Sequence, residues 1–259
     1  MGEISIAPKF NIHETYKKVR ILNPYRNKSS GIATDGLVLH LDAGNTNSYP
    51  GTGNTWYDLS GSNYELTSPN LPVFTSDTEN RPCFRYSANA QRFETTLNSP
   101  FSGNQFSITV NAVFSETNFL DQFSTILGQS PNSPTSGMAF QSAKGYYATD
   151  IWSPGGIKRT SVSTLNTIFM VTWRIDVWAN HKSTGEIYVN AVKQASQSYD
   201  TRDVGQLNTG KFIVGNWDST RGDMNLNGDL YALNVYDRAL SVEEIERNFA
   251  VYKDRFNLT

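Results

Sequence analysis

Three oxygen-bearing side chains near the end of the 259-residue chain have the spacing of a calcium-binding loop. In the segment DMNLNG these are Asp223, Asn225 and Asn227, and Gly228 follows them. Such alternation before a glycine is typical of loops that wrap calcium, but Asn234 occupies the twelfth position, where a bidentate glutamate is needed. We therefore expect a weak calcium site at most and no other cofactor, and we favour a plain hairpin turn at Asn227-Gly228.

Sugar binding requires exposed aromatic rings beside amide or carboxylate groups, and two segments without strand periodicity carry such residues. The segment KGYYATDIWSPGG contains Tyr147 and Trp152, and GNWDSTRGD contains Trp217 and Asp218. We expect any glycan site to use these three rings, with Asp218 as a hydrogen-bonding partner. Because tryptophan and tyrosine are also enriched at protein interfaces, the same residues could form a subunit contact in a homo-oligomer.

Two carboxylates, Asp42 and Asp58, flank an aromatic loop within residues 36–61. The first residues of this stretch alternate as in a half-buried strand, which places on one face Leu37, Leu39 and Leu41. The loop that follows could line a catalytic cleft or a sugar site, but tryptophan also plugs the ends of sandwiches and aspartate caps turns. We expect Trp56 to pack inward and Asp58 to cap a turn.

The other residue types that carry chemistry form no catalytic arrangement in the sequence. The three histidines, His13, His40 and His181, lack zinc-ligand spacing, and neither a Gly-x-Ser-x-Gly motif nor a phosphate-binding glycine loop occurs. The single cysteine, Cys83, has no activating motif and is expected to be a small buried hydrophobe. We therefore expect no catalytic residue.

The elements that must position these residues are mostly β-strands. In NQFSITVNAVFSE the residues on one face are Phe106, Ile108, Val110, Ala112 and Phe114. The segment NTIFMVTWRIDVW is apolar on both faces and predicts a central strand. Strands at this spacing without helices between them predict a sandwich or jelly roll of two antiparallel sheets.

One helix is predicted, at the C-terminal end, in ALSVEEIERNFAVYKDRF. Ser241 and Glu244 form a capping box, and Leu240 and Ile245 occupy the hydrophobic-staple positions. One face of the helix is apolar and carries Ile245, Phe249, Tyr252 and Phe256. We expect this face to cover the sandwich.

The charge of the chain is unevenly distributed. Residues 1–33 contain six Lys or Arg and two Glu, a net charge of +4, whereas the whole chain carries −2. Short apolar alternations broken by prolines predict that this segment is an extended basic arm and linker before an acidic body. The overall charge favours neither nucleic acid nor an anionic membrane as partner. The N-terminus has no signal peptide and no run of 18 apolar residues occurs, so we expect synthesis in a cytoplasm without membrane insertion.

Three blocks together resemble a laminin-G-like domain of the concanavalin A-like lectin/glucanase superfamily. They are GLVLHLDAGNTNSYPGTGNTWYDLSG, NTIFMVTWRID…STGEIYVNAVKQAS and GKFIVGNWDS…NLNGDLYALNVYDRALSVEEIERNF. The family's Tyr-Val-Asn-Gly strand end is Tyr188 to Ala191 here, and Ala191 in place of glycine predicts a slightly different hairpin. The opening block and the ending NFAVYKDRF are similar to such domains in bacteriophage structural proteins.

The resemblance covers residues 35–259 and implies an all-β jelly-roll sandwich over 34–259, with a short C-terminal helix and the arm, 1–33, in front. The glucanases of the superfamily use a Glu-x-Asp-x-(x)-Glu strand, which this chain lacks. Its nearest fragment, Asp77-Thr-Glu79, has Thr75 where the first glutamate should be. The resemblance therefore implies a protein that is not an enzyme.

These expectations combine into a non-enzymatic virion surface protein of a bacteriophage, as a capsid decoration or fibre-type component. The arm, residues 1–33, would dock on other virion proteins, and the sandwich would face outward and could adhere to a cell-surface glycan. One alternative is a free carbohydrate-binding module, although such a module has no use for a basic arm. A glycoside hydrolase is a weaker alternative.

Overall fold

The structure is a computed structural model that describes residues 31–87, 89–101, 106–118, 123–130, 138–143, 146–151, 164–178, 182–200, 210–217 and 224–259. One compact unit runs from Gly31 to Thr259, so it begins three residues before the expected start of the domain. Of the predicted arm, only residues 31–33 fall within the described part.

The described part contains fifteen strands and one helix. In chain order they are β1 (Leu37–Asp42), β2 (Thr55–Trp56), β3 (Leu66–Asn70), β4 (Val73–Ser76), β5 (Pro82–Tyr86), β6 (Arg92–Asn98), β7 (Phe106–Glu116), β8 (Ser124–Ser130), β9 (Met138–Ala143), β10 (Tyr146–Ile151), β11 (Phe169–Trp178), β12 (Lys182–Val189), β13 (Val192–Asp200), β14 (Lys211–Val214), β15 (Gly228–Tyr236) and α1 (Val242–Phe256). Within the described residues, no helix has the length and hydrophobicity needed to span a bilayer.

The strands form two sheets, and every pairing between them is antiparallel in the described part. The first sheet has the order β13-β12-β11-β7-β15-β5-β4, with β1 also paired to β15. The second has the order β10-β9-β8-β14-β6-β3-β2. The protein is therefore a jelly-roll sandwich with a C-terminal helix, as predicted, and β11 is a central strand between β12 and β7.

The interior between the sheets follows the predicted alternation in β7. The side chains of Ile108, Val110, Ala112 and Phe114 belong to the main core, and Phe106 packs against it. The intervening residue Val113 instead contacts the layer under α1. The period of two thus separates the two faces of the first sheet, and both faces are covered.

Strand β1 departs from the expected alternation. Its pairing with β15 shifts register between Leu37 and Leu39, as in a β-bulge. Val38, Leu39 and Leu41 therefore all reach the main core, whereas Leu37 packs under α1. The prediction that Leu37, Leu39 and Leu41 share one face is wrong for Leu37, because the extra residue of the bulge reverses the side-chain direction before it.

Helix α1 covers the outer face of the first sheet, as predicted. Ser241 Oγ accepts a hydrogen bond from Glu244 N, and the Glu244 carboxylate accepts one from Ser241 N, which completes the capping box. The buried residues of the helix are Ile245, Asn248, Tyr252 and Phe256. Phe249 is only partly buried, and the polar Asn248 lies in the covered face, where its amide donates to Tyr236 Oη at 3.0 Å.

The expected hairpin turn at Asn227-Gly228 is wrong. Strand β14 belongs to the second sheet and β15 to the first, so the chain crosses between the sheets here. Gly228 is the first residue of β15, and a Cβ atom on it would lie 2.0 Å from the backbone oxygen of Ser115. The glycine is therefore needed for close contact with β7 and not for a two-residue turn.

The hairpin between β12 and β13 has a two-residue loop, Asn190-Ala191. Both residues have positive φ, 49° and 64°, as a type I′ turn requires. Ala191 thus adopts a backbone conformation that glycine favours. The Asn190 carboxamide accepts a hydrogen bond from Met170 N at 2.9 Å and donates one to Thr259 O at 2.9 Å.

The variant Ala191→Gly is expected to raise the free energy of unfolding by about 0.5 kcal/mol. Relief of the left-handed strain is worth about 1–2 kcal/mol, and the greater freedom of glycine in the unfolded chain removes about 0.4–1 kcal/mol. Urea unfolding measures the difference. Asn190→Gly is the matched control, and it should be destabilising because it loses two hydrogen bonds. A loss of stability in Ala191→Gly would contradict the strain argument.

Candidate functional site

The aromatic loop after β1 is pinned to the core. Trp56 is fully buried, and its ring centroid lies 4.5 Å from that of Phe84 and 5.3 Å from that of Phe93. Tyr49 is also buried, whereas Tyr57 is 40% exposed. Since two of the three rings are core residues, this loop does not present an aromatic platform, and the prediction for Trp56 is confirmed.

Asp58 organises the end of the same loop. Its Oδ1 accepts hydrogen bonds from His40 N at 2.9 Å and from Ser60 N at 2.8 Å, and its Oδ2 accepts one from Ser60 Oγ at 2.7 Å. The predicted turn cap is confirmed. The carboxylate also joins the loop to β1 through the His40 backbone, which sequence reasoning did not anticipate.

Asp42 has a different partner, Arg255 in the last turn of α1. Arg255 Nη1 donates to Oδ2 at 2.6 Å, and Nη2 donates to Oδ1 at 2.8 Å, so the pair is bidentate. Gly44 N donates to the same Oδ1 at 2.8 Å, and a Cβ on Gly44 would lie 2.1 Å from Nη2. Burial alone would lower the pKa of Arg255, but its pairing with Asp42 raises it. The two residues are 213 positions apart, and no sequence pattern linked them.

A cavity of about 350 Å³ lies beside this ion pair, between β1, the 59–60 loop and α1. Its polar lining includes His40, Asp42, Ser60 and Arg255. Residues 36–61 therefore contribute to a cavity, although the two carboxylates of this segment do not face each other as a catalytic pair. Asp42 is bound to Arg255, and Asp58 to backbone groups of β1 and its own turn.

His40 is half-buried at the wall of this cavity. Burial lowers the pKa of its imidazole, against the opposing effect of Asp42 and Asp58, so the ring is neutral at pH 7. No hydrogen bond joins the imidazole to another side chain or backbone group in the described part of the chain. A neutral imidazole can donate through one nitrogen and accept through the other, so His40 offers both to the cavity.

Of the four residues predicted for a glycan site, the structure describes two, Tyr147 and Trp217. Tyr147 is only 1% exposed, and its ring lies in the core with centroid distances of 5.8 Å to Phe114 and 6.2 Å to Trp173. We correct the expectation for this residue, because its position in β10 points the ring between the sheets. Trp217 is partly exposed. Trp152 and Asp218 lie outside the described residues.

The predicted calcium ligands have other partners where they are described. Asn225 Oδ1 accepts a hydrogen bond from Ala90 N at 3.1 Å, and Asn227 Oδ1 accepts one from Thr117 Oγ1 at 3.1 Å. Asp223 lies outside the described residues. Among the residues that are described, no group of three His, Cys, Asp or Glu side chains is placed to hold a metal. The two carboxamides tie the crossing segment to its neighbours.

Asp77, in the fragment closest to the glucanase motif, has a structural role. Asp77 Oδ2 accepts hydrogen bonds from Arg81 Nε at 2.6 Å and from Tyr231 Oη at 3.0 Å. Burial raises its pKa, but these and two backbone hydrogen bonds outweigh that effect and lower it. Cys83 nearby is fully buried, and burial raises the pKa of its thiol to about 12, so the thiol stays protonated.

Other charged side chains in the described part are also paired. Arg85 makes a bidentate pair with Asp229, with both distances 2.7 Å. Glu186 binds Arg174 at 3.0 Å and Lys193 at 2.6 Å. These pairs lie across neighbouring strands of the first sheet and stabilise its outer face.

The fold can be compared with known structures. Trypanosoma rangeli sialidase in complex with sialic acid superposes with a TM-score of 0.62 and 15% identity, covering 85% of this chain and 33% of that chain. The binding domain of Paraclostridial Mosquitocidal Protein 1 gives 0.57 and 18%, covering 85% and 53%. The receptor binding domain of botulinum neurotoxin D gives 0.57 and 15%, covering 84% and 53%.

This chain therefore spans between a third and about half the length of these structures, and at such identities the likeness concerns the fold alone. A search of curated proteins finds no match. A laminin G family model, described as the Concanavalin A-like lectin/glucanases superfamily, matches residues 87–246, from the end of β5 into α1. Since this match covers more than half of the chain and includes strands of both sheets, the protein belongs to the laminin G-like domains of the Concanavalin A-like lectin/glucanases superfamily.

Proposed function

We propose that the protein is a non-enzymatic recognition module on a virion surface, as a capsid decoration or fibre-type component, tethered by its N-terminal arm. The observation that carries this proposal is the anchoring of the arm's last residues. Arg247 donates to the carbonyl oxygens of Gly31 and Ile32, both at 2.8 Å, and Asn248 Oδ1 accepts a hydrogen bond from Ala33 N at 2.7 Å.

This anchor gives the preceding segment a defined point of attachment to the body. Ile32 and Ala33 are buried against the layer under α1. Backbone hydrogen bonds and apolar burial therefore both hold residues 31–33 on the body. The 30 residues before it carry a net charge of +4 on a chain whose total is −2, so an acidic partner surface would attract the arm more than the body. Residues 31–33, held on the body, and the basic residues 1–30 before them together suit a tether.

The proposal that the protein is not an enzyme is supported by the partners of four aspartate carboxylates. Asp42, Asp58, Asp77 and Asp229 each hold an arginine or cap a turn, and glycoside hydrolysis needs two carboxyl groups free to face a substrate. The mosquitocidal and botulinum domains with this fold are named for binding, and the sialidase for catalysis. A free carbohydrate-binding module is the alternative, and it leaves the basic arm without a role.

Deletion of residues 1–30 tests the tether. The shortened protein should keep the anchor at Arg247 and unfold at the same temperature as the full chain, but it should no longer co-sediment with particles of the encoding phage that lack the full-length protein. Ordering an arm of this length costs about 1–2 kcal/mol per residue, so a partner surface must compensate. A full-length control with Lys17, Lys18 and Arg20 changed to glutamine separates charge from length. Full occupancy by the deletion variant would refute the proposal.

A further inference from the structure

A row of side chains with polar groups crosses the outer face of the first sheet, one on each of five neighbouring strands. They are Tyr188 of β12, Thr172 of β11, Asn111 of β7, Asn234 of β15 and His40 of β1, and each lies directly opposite the next in the strand pairing. The residues before and after Asn111, Val110 and Ala112, belong to the main core, so Asn111 points to the other face of the sheet. This is the face that α1 covers, and Tyr252 of α1 holds Asn234.

Two neighbours in the middle of this row, Asn111 and Thr172, are buried without a protein partner in the described part of the chain. Asn111 is 1% exposed and Thr172 is fully buried, and neither carboxamide atom of Asn111 nor the hydroxyl of Thr172 has a hydrogen bond there. By contrast, Tyr188 Oη donates to Glu186 at 2.8 Å, and Asn234 Nδ2 donates to Tyr252 Oη at 3.0 Å. Because buried polar groups are nearly always hydrogen-bonded, two adjacent unpaired groups indicate a small molecule bound between them.

The spacing of β7 and β11 fits a molecule with one heavy atom. Directly opposed residues of an antiparallel pair have Cβ atoms about 4.5–5.5 Å apart. Two hydrogen bonds of about 2.8 Å that meet at one oxygen atom bridge a gap of this size. The outer face is apolar on both sides of the row, with Val113 and Met170 on one side and Tyr236 and Ile245 on the other. A polar ligand is therefore confined to the row itself.

We propose that a buried water molecule binds between Asn111 and Thr172 under α1. Water both donates and accepts, so it can donate to Asn111 Oδ1 and accept from the Thr172 hydroxyl, and buried waters are held by such otherwise unpaired groups. A calcium ion is a poorer occupant, because it needs about six to eight oxygen ligands, whereas Asn111 and Thr172 supply one oxygen each.

The proposed water lies under the helix that holds the tether. Asn248 of α1 donates to Tyr236 Oη at 3.0 Å and accepts from Ala33 N at 2.7 Å, and Tyr236 is on the same face of β15 as Asn234. The water therefore stabilises the sheet face on which residues 31–33 are anchored. This inference does not depend on what the tether binds.

The first test is a double-mutant cycle in the full-length protein, followed by urea unfolding. Thr172→Val keeps the shape of the side chain but removes one partner of the water, so it should raise the equilibrium constant for unfolding about fivefold. In the Asn111→Leu background the same change should have less than half that effect on a logarithmic scale, because the water has already lost its other partner. Without a bound water, Thr172→Val would remove an unpaired buried group and make the protein more stable. Greater stability in Thr172→Val, or an equal effect in both backgrounds, would overturn the proposal.

The second test counts long-lived internal water molecules by ¹⁷O magnetic relaxation dispersion of the full-length protein. Asn111→Leu/Thr172→Val should lose at least one such water, and Thr172→Ser, which keeps the hydroxyl, should lose none. Thr109→Val is the matched control on β7, because the Thr109 hydroxyl accepts from Leu240 N at 3.0 Å and donates to Arg238 O at 2.8 Å. It should lower stability without changing the water count. An unchanged count in the double variant, or an equal loss in Thr109→Val, would contradict the proposed site.

A crystal structure of the unmodified protein decides the question if the double variant does not fold. Density for a water within hydrogen-bond distance of both Asn111 and Thr172 would support the site. A direct hydrogen bond between the two side chains, or no density between them, would overturn it.

Discussion

Replacing Trp56 with alanine is expected to lower the free energy of unfolding by about 3–5 kcal/mol. The indole is fully buried between Phe84 of β5 and Phe93 of β6, which belong to different sheets. Truncation would leave a cavity that the two sheets cannot close, because each is held in place by its own hydrogen-bonded strands. Urea unfolding followed by circular dichroism measures the change.

The adjacent residue provides a control for this result. Tyr57 is 40% exposed, and Tyr57→Ala should change the free energy of unfolding by no more than about 0.5 kcal/mol. The pair therefore separates a pinned ring from a surface ring within the same loop. An equal loss of unfolding free energy in both variants would contradict the conclusion that Trp56 holds the loop. A ligand-binding role for the aromatic rings of this loop would then have to be considered.

Asp42→Ala is expected to cost about 2–3 kcal/mol. Removing one member of a buried ion pair typically costs about 3–5 kcal/mol because the other charge is left without a partner. The Arg255 side chain here is 33% exposed and can turn toward water, which places the expected loss below that range. The same variant should release the end of α1 from β1, seen as faster amide exchange in the last turn of the helix.

Asp35 is the matched control for this pair. Its carboxylate is also bound to an arginine, Arg238, at 3.0 Å, but it is 87% exposed. Asp35→Ala should therefore change the free energy of unfolding by at most about 1 kcal/mol. In a double-mutant cycle, Asp42→Ala and Arg255→Ala should be strongly non-additive, since each removes the same contact. Additive losses would show that the two groups act independently.

Local features of the structure were predictable from the sequence because they depend on residues close together in the chain. The capping box of α1 involves Ser241 and Glu244, which are three positions apart. The alternation in β7 and the continuous apolar run of β11 predicted their places in the sandwich. These signals sufficed for the fold class, since a period of two without helices leaves few architectures.

The site was predictable only in part. Trp56 and Asp58 were assigned correctly, since a tryptophan among polar turn residues and an aspartate before Ser60 act locally. Tyr147 was assigned wrongly as an exposed ring. Its strand alternates in either case, and the pattern does not say which face looks inward.

Residues far apart in the chain were brought together only by the tertiary structure. The bidentate ion pair between Asp42 and Arg255 joins residues 213 positions apart. It depends on the bulge in β1, on the close approach of the Arg255 guanidinium to Gly44 and on the docking of α1. The cavity beside it depends on the same arrangement, with His40 and Val251 on opposite elements. Sequence periodicity determined which residues share a face of an element. Which faces meet depends on the sum of many weak long-range contacts, and no short segment encodes that sum.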